Sequence, residues 1–342
     1  MKDAFPKIEL QPGYSISRII KGGWQLAGGH GAVDEKQAIR DMWAFVEAGI
    51  TTFDCADIYT GVEELIGKFI KECQDIQVHT KYVPDLDKLP TLAKGDTEKI
   101  IDRSLMRLGV ERLDLVQFHW WDYCVPNYVD TAFHLVDLQR AGKIRHIGVT
   151  NFDASHLREL LDAGIPVIAN QVQYSVLDLR PEGDLQRLAR EQGIAFLCYG
   201  TVAGGFLNER CLEVGEFPDP LENRSLVKYR LIIEESGGIK WYREVLQTLA
   251  KVAQKYDAGI AEIAIKYILQ KPCVAGAVIG ARNTKHLANI KKIGSFQLED
   301  EDLRAIQRIT SRAKGPSGPV YGLERDREGR HGRIMKYNLN EQ

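Results

Sequence analysis

Four times in this chain a helical segment ends on glycine and passes directly into a new aliphatic run. The phrases are Glu47-Ala48-Gly49-Ile50-Thr51, Arg140-Ala141-Gly142-Lys143-Ile144, Asp162-Ala163-Gly164-Ile165-Pro166 and Glu191-Gln192-Gly193-Ile194-Ala195. Glycine just past a helix accepts the left-handed backbone that ends it. A unit that repeats helix, glycine, strand starts every strand from the same end, so its strands run parallel. Strand-like runs lie at 18–21, 51–54, 76–80, 114–118, 144–149, 167–171, 194–199 and 276–279. Helical periodicity fills 35–48, 97–108, 129–141, 153–162 and 185–192, with Asp153 as an N-cap. Eight buried strands alternating with helices predict an α/β fold, a (β/α)8 TIM barrel. It reads as one domain over 1–342 with long βα loops at its C-terminal face. A doubly wound sheet is the alternative, and the first strand lacks the Gly-x-Gly-x-x-Gly turn that such a fold places there.

Two stretches interrupt the alternation. Residues 200–238 form a long connection after the seventh strand, where barrels place functional loops. Residues 311–342, with Gly315-Pro316-Ser317-Gly318-Pro319, are read as either a loose tail or a strap across the barrel mouth.

Charge excludes several classes. Lys plus Arg number 45 against 47 Asp plus Glu, so nothing draws the chain to nucleic acid or to an anionic membrane. No apolar run approaches the length of a spanning helix, and the start, Met1-Lys2-Asp3-Ala4-Phe5-Pro6, has no signal-peptide core. The six cysteines form no Cys-x-x-Cys pair and the eight histidines no His-x-x-x-His, so neither a disulfide framework nor a metal centre is expected. A reducing, cytoplasmic setting follows as an expectation.

A barrel carries its chemistry where strands end. Asp54 ends the second strand, Tyr59 follows in its loop, Lys81 comes at the end of the third and His119 at the end of the fourth. Singly, each has an ordinary reading: a helix cap, a loop aromatic, a surface charge, a core imidazole. Together they place a carboxylate, a phenol, an amine and an imidazole at three adjacent strand ends.

The same residues lie within longer motifs. Gly49-Ile50-Thr51-Thr52-Phe53-Asp54-Cys55-Ala56-Asp57-Ile58-Tyr59, continued by Gly61, Glu64 and Gly67, resembles the first signature of the aldo-keto reductase superfamily. Thr80-Lys81 is similar to its lysine strand, and Leu105 to Val110 followed by Asp114-Leu115 and His119-Trp120 to its second signature. Ile147-Gly148-Val149-Thr150-Asn151-Phe152 and Gln171-Val172-Gln173-Tyr174 resemble the cofactor strands. The resemblance covers nearly the whole chain.

It implies a catalytic tetrad of Tyr59, Lys81, Asp54 and His119, a small-molecule carbonyl or alcohol substrate, and NADPH as cofactor, with NADH possible. In that scheme the phenol protonates the nascent alkoxide and the ammonium lowers the phenol's pKa. The carboxylate holds the ammonium, and the imidazole orients the carbonyl by a hydrogen bond. The resemblance further implies cofactor contacts from Gly23, Trp24, Asp54, Thr150, Asn151, Gln171 and Tyr199, and from Gly200, Thr201, Gly280, Arg282, His286 and Asn289. Trp24, Tyr59, His119 and Trp120 are the expected substrate contacts, with Tyr82 and Trp121 as further aromatics for the mouth. Gly280 to Asn283 is expected to open the last barrel helix, so that Arg282, Lys285 and His286 meet the 2′-phosphate of NADPH from one helical turn.

Two departures stand out. Gly200-Thr201-Val202 replaces the family's Ser-Pro-Leu, and no acidic residue accompanies Asn289. A cofactor-binding regulatory or channel-associated subunit on the same fold is the alternative function. A barrel hydrolase lacks its carboxylate pair.

Overall fold

The computed structural model describes residues 5–28, 31–213 and 215–340. Its first element is a hairpin that the sequence pattern did not reveal: β1 (Lys7–Gln11) pairs antiparallel with β2 (Tyr14–Ser17). Eight parallel strands follow: β3 (Ile19–Gly22), β4 (Thr52–Asp54), β5 (Gln77–Tyr82), β6 (Leu113–Phe118), β7 (Ile144–Thr150), β8 (Val167–Gln173), β9 (Ala195–Tyr199) and β10 (Val274–Gly280). They pair in chain order and β10 closes on β3, giving the expected (β/α)8 barrel.

One helix follows each of the first six barrel strands: α1 (Glu35–Glu47), α2 (Val62–Ile70), α3 (Lys94–Leu108), α4 (Tyr128–Arg140), α5 (Ala154–Asp162) and α6 (Asp184–Gln192). The β9–β10 connection holds α7 (Arg224–Ser236), α8 (Gly238–Ala253) and α9 (Ile260–Leu269). Beyond β10 come α10 (Leu287–Lys292), α11 (Asp300–Thr310) and α12 (Gly322–Arg325).

Local chemistry explains these elements. Asp34 and Asp153 cap α1 and α5 by accepting from Gln37 N and His156 N. Gly109 and Gly193 end α3 and α6 in the left-handed region, where a side chain would be strained. Each helix turns an apolar stripe to the sheet. In α2 that stripe is Val62, Leu65, Ile66 and Phe69, and Phe69 meets Phe53 of β4 at 5.7 Å between ring centroids. Burying such a side chain stabilises the fold by roughly 1.5–3 kcal/mol. Gly67 lets α2 and α3 touch, because a Cβ there would lie 2.3 Å from the Arg107 carbonyl oxygen.

The hairpin closes the N-terminal end of the barrel. Tyr14 and Ile16 join Ile20, Leu115, Ile168 and Leu197 in an apolar floor, and the Tyr14 hydroxyl lies 3.0 Å from His79 Nε2. The opposite end is crossed by the tail. Lys314 N donates to Ser236 O, Leu86 N to Tyr337 O, and Asn340 Nδ2 to Val83 O.

Candidate active site

The strand register brings the four chemistry-bearing residues together. Asp54 of β4 pairs with His79 of β5, so Lys81, two residues on, points to the same side just beyond the end of β4. Lys81 Nζ donates to Asp54 Oδ2 at 2.5 Å and to the Cys55 carbonyl at 2.8 Å. The ammonium and the carboxylate are both buried. Asp54 Oδ1 accepts from two amides, Gln117 Nε2 at 2.9 Å and Gln171 Nε2 at 2.6 Å. The Lys81 ammonium lies 5.1 Å from the Tyr59 ring centroid, and Trp24 covers the same ring at 5.1 Å.

The electrostatics follow from burial and pairing. Burial works against the Lys81 ammonium, but Asp54 and then Tyr59 outweigh it, and its pKa is raised. For Tyr59 burial is the largest influence and raises the phenol; Lys81 opposes it without reversing it. The expected lowered phenol pKa is therefore corrected: the hydroxyl holds its proton more firmly than in water. Burial pushes the neighbouring Cys55 thiol well up, so it presents no thiolate.

His119 follows β6, with Nδ1 3.2 Å from the Thr150 carbonyl oxygen. A carbonyl only accepts, so Nδ1 carries the proton and the neutral ring offers a lone pair at Nε2. Burial and then the Arg325 charge pull its pKa down to about 3. Nε2 is buried without a protein partner. Trp121 and Tyr321 pack edge-on against the ring at 4.3 and 5.4 Å.

The remaining expected residues divide. Thr150, Asn151, Gln171 and Tyr199 lie together at the ends of β7, β8 and β9. Thr150 Oγ1 donates to Gln171 O, and Tyr199 Oη donates to Asn151 Oδ1 at 2.8 Å. Asn151 adopts a left-handed backbone, φ 64°. Gly23 is set against Asp54: its N–H donates to Asp54 O at 2.7 Å, and a Cβ would approach that oxygen to 2.9 Å. Gly200 faces Tyr229, whose hydroxyl would sit 2.6 Å from an added Cβ. Thr201 is buried, and its Oγ1 lacks a protein partner.

Three expectations are overturned. Trp120 is fully buried, its indole N–H held by Asp122 O and Val125 O, so it does not line the mouth. Tyr82 is likewise enclosed, with its hydroxyl on Thr97. The helix after β10 starts at Leu287, with His286 at its N-cap, instead of at Gly280. The Asn283 carboxamide accepts from Lys285 N, a local turn that competes with helix initiation. Arg282 therefore sits in a loop, where its Nη2 donates to Ala32 O, and Lys285 and His286 do not share a helical turn with it. Gly280 accommodates the Gln25 amide, and Asn289 is exposed on α10.

Residues 18–311 match the sequence profile of the aldo/keto reductase family. The chain belongs to that family. It is 30% identical over 328 residues to aldo-keto reductase YhdN of Bacillus subtilis, covering 92% of this chain and 97% of that protein. It is also 30% identical over 320 residues to the NADH-specific methylglyoxal reductase of Escherichia coli, covering 86% and 95%. The holo form of aldo-keto reductase AKR11C1 from Bacillus halodurans superposes with a TM-score of 0.72 at 26% identity, covering 92% and 99%. Aldo-keto reductases are oxidoreductases that act on carbonyl compounds with a nicotinamide cofactor, and this chain is an enzyme of that kind. Among the described residues no helix is long and apolar enough to cross a membrane, and no His, Cys, Asp or Glu cluster could hold a metal ion.

The mouth of this aldo-keto reductase suits such a cofactor. Gln25 Oε1, His119 Nε2 and Thr201 Oγ1, buried polar atoms without protein partners, stand after β3, β6 and β9. Gln25 lies against Gly280 at the end of β10, His119 is joined to Thr150 beside Asn151, and Thr201 follows Tyr199, whose hydroxyl meets Asn151. That set offers donors, acceptors and an aromatic face, which a carboxamide-bearing ring requires.

Several contributors escaped the sequence reading. Gln117 holds Asp54. From α7, Ser225 accepts from the Trp24 indole and Lys228 lies 5.2 Å from the Tyr199 ring centroid. Arg180 bridges Asp178 and Glu324 at 2.8 and 3.0 Å, and Lys228 also reaches Glu324 at 3.3 Å. Those cations hold the Glu324 carboxyl far below its ordinary range despite its burial.

Proposed function

We propose that this enzyme moves a hydride between NADPH and a small aldehyde, ketone or sugar, with Tyr59 as general acid in reduction and general base in oxidation. The observation that carries this reading is the buried Lys81–Asp54 pair beside the Tyr59 ring. A nicotinamide dinucleotide supplies the hydride when bound. Asn151 and Gln171 would take its carboxamide, since Gln171 has its Nε2 engaged by Asp54 and Gln117 while Oε1 is left to accept. Tyr199 would offer its ring, and Gly200, Thr201, Gly280, Arg282, His286 and Asn289 would take the phosphates and adenosine. NADPH is favoured over NADH by the permanent positive charges of Arg282 and Lys285 in the loop after β10.

As charge develops on the substrate oxygen, Tyr59 releases its proton to that oxygen. The phenolate that remains forms beside a permanent ammonium, which stabilises it. Asp54 keeps that ammonium charged and in place, and the two glutamine amides keep Asp54 in place. His119, with its Nδ1–H donating to the Thr150 carbonyl, accepts at Nε2 from a substrate hydroxyl. This revises the expected donor role: in reduction, Tyr59 is the donor to the carbonyl oxygen.

Tyr59→Phe tests the assignment. It removes the proton and leaves the ring against Trp24. Turnover of a carbonyl panel should fall by about 10²–10⁴-fold, with dinucleotide affinity by fluorescence titration nearly unchanged. Retention of most of the activity would remove Tyr59 from this role.

A further inference from the structure

The tail after α11 does more than cross the mouth. Tyr321, at φ 61°, turns the chain inward and sets its ring edge-on to His119. One turn later Arg325, whose backbone N–H donates to Tyr321 O, carries its guanidinium between two strand ends. Its Nη2 donates to the Trp120 carbonyl at 3.1 Å, the Asn151 carbonyl at 2.9 Å and the Tyr123 hydroxyl at 2.9 Å. The guanidinium also lies 4.1 Å from the Tyr123 ring centroid. Trp120 directly follows His119. Asn151 directly follows Thr150, whose carbonyl accepts a hydrogen bond from His119 Nδ1.

We propose that Arg325 is a positioning residue: from the C-terminal tail it clamps the ends of β6 and β7, and so fixes the His119 imidazole and the Asn151 amide for turnover. The proposal rests on the mechanism given above. The geometry favours it in three ways. The clamped carbonyls lie just past the ends of strands that pair side by side, so one guanidinium nitrogen, Nη2, reaches both. Among the described residues, no carboxylate oxygen lies within ion-pair distance of Arg325, whereas the adjacent Glu324 is bound by Arg180 and Lys228. Arg325 therefore donates to neutral strand-end acceptors and not to an ion-pair partner. Third, Asn151 is held at three points: its N–H donates to Gln171 O, its Oδ1 accepts from Tyr199, and its carbonyl accepts from Arg325. A left-handed asparagine lasts where its surroundings fix it in this way.

The clamp also sets a charge beside His119. The groups acting on that ring are Arg325 from the tail, the Thr150 carbonyl from β7 and Lys81 from β5, with the neutral Tyr321 and Trp121 against its faces. Arg325 and Lys81 oppose protonation, and Thr150 favours it.

The experiment compares the full chain with Arg325→Gln and Arg325→Lys. In Arg325→Gln, kcat should fall by about 10–100-fold, the scale expected when a reacting group is misplaced by about an ångström. Dinucleotide Kd should stay within about threefold. The His119 imidazole, followed by NMR, should titrate at higher pH than in the unaltered protein. Arg325→Lys keeps the charge and withdraws the Nη2 donor that meets all three acceptors, so it should restore the His119 titration but not kcat. A kcat within threefold of the unaltered enzyme in both variants would overturn the proposal. Loss of the fold in both, seen by circular dichroism, would also overturn it by assigning Arg325 to stability alone. The NMR titration needs no turnover, so a failure of the Tyr59 mechanism would be recognised separately from a failure of the clamp.

Discussion

Lys81→Met separates the structural and chemical parts of the Lys81–Asp54 pair. Both side chains are nearly sequestered from water, and the ammonium is the donor to Asp54 Oδ2. Removing it leaves a buried carboxylate with two amide donors on Oδ1 and none from Lys81 on Oδ2. Breaking one side of a buried pair typically costs about 3–5 kcal/mol. For a chain of this size that lowers Tm by roughly 4–7 °C. Adding Asp54→Asn removes the orphaned charge, so the double variant should recover most of the lost Tm. Turnover should not recover, because the phenolate would still form without a neighbouring cation; kcat should stay about 10²–10⁴-fold down in both variants. Calorimetry and steady-state rates on the three proteins decide the matter. A double variant no more stable than Lys81→Met would refute the ion-pair argument, and a Lys81→Met enzyme within tenfold of normal kcat would refute the catalytic one.

The pH profile should reflect a firmly protonated phenol. Tyr59 has a raised pKa, so in reduction kcat/KM should stay level through neutral pH and fall only above the ordinary phenol value of about 10, as the proton donor is lost. Oxidation of the alcohol, which needs the phenolate, should rise over that window; a reduction limb centred near neutrality would contradict this. Arg282→Ala should weaken NADPH binding by about tenfold or more and leave NADH nearly unchanged, since a charge-assisted contact is worth roughly 1.5–3 kcal/mol. Equal losses in parallel titrations would place Arg282 away from the 2′-phosphate. Gly23→Ala should cost about 1–3 kcal/mol by overpacking and lower kcat as well, because its Cβ would press on the Asp54 carbonyl and on Val62. A variant with normal Tm would show that the loop yields.

The barrel and the four central residues were legible because their causes are local. A glycine that ends a helix and a β-branched run that starts a strand are each visible within a few residues. Asp54, Lys81 and His119 inherit their placement from the strands they end. What was not legible depends on long-range contacts or on weak local competition. Arg180 meets Glu324 across 144 residues and Arg325 meets Asn151 across 174, so neither segment carries a sign of its partner. Gln117 reads as an ordinary strand residue until closure of the barrel brings it to Asp54. The hairpin β1–β2 is too short for its alternation to stand out, and its burial comes only from the barrel floor it meets. Trp120 was misplaced because an aromatic beside an expected catalytic histidine looks like a pocket wall; the Asp122 and Val125 carbonyls turn its indole inward.

The charges at the mouth explain why so much structure surrounds a single proton. Lys81 is balanced by Asp54, and Arg180 with Lys228 by Asp178 with Glu324. In the proposed mechanism the groups that would face the substrate are neutral: a phenol that holds its proton and an imidazole kept unprotonated. On that mechanism charge would change most at the substrate oxygen and at Tyr59, the latter beside a cation whose counter-charge is fixed in advance. Preorganised charge of this kind needs little rearrangement when the reaction occurs, and this is where electrostatic catalysis gains most. It also accounts for the tail. A buried carboxylate such as Glu324 persists only with its partners in place, and the same ion pairs that hold α12 against the barrel hold Arg325 at the ends of β6 and β7.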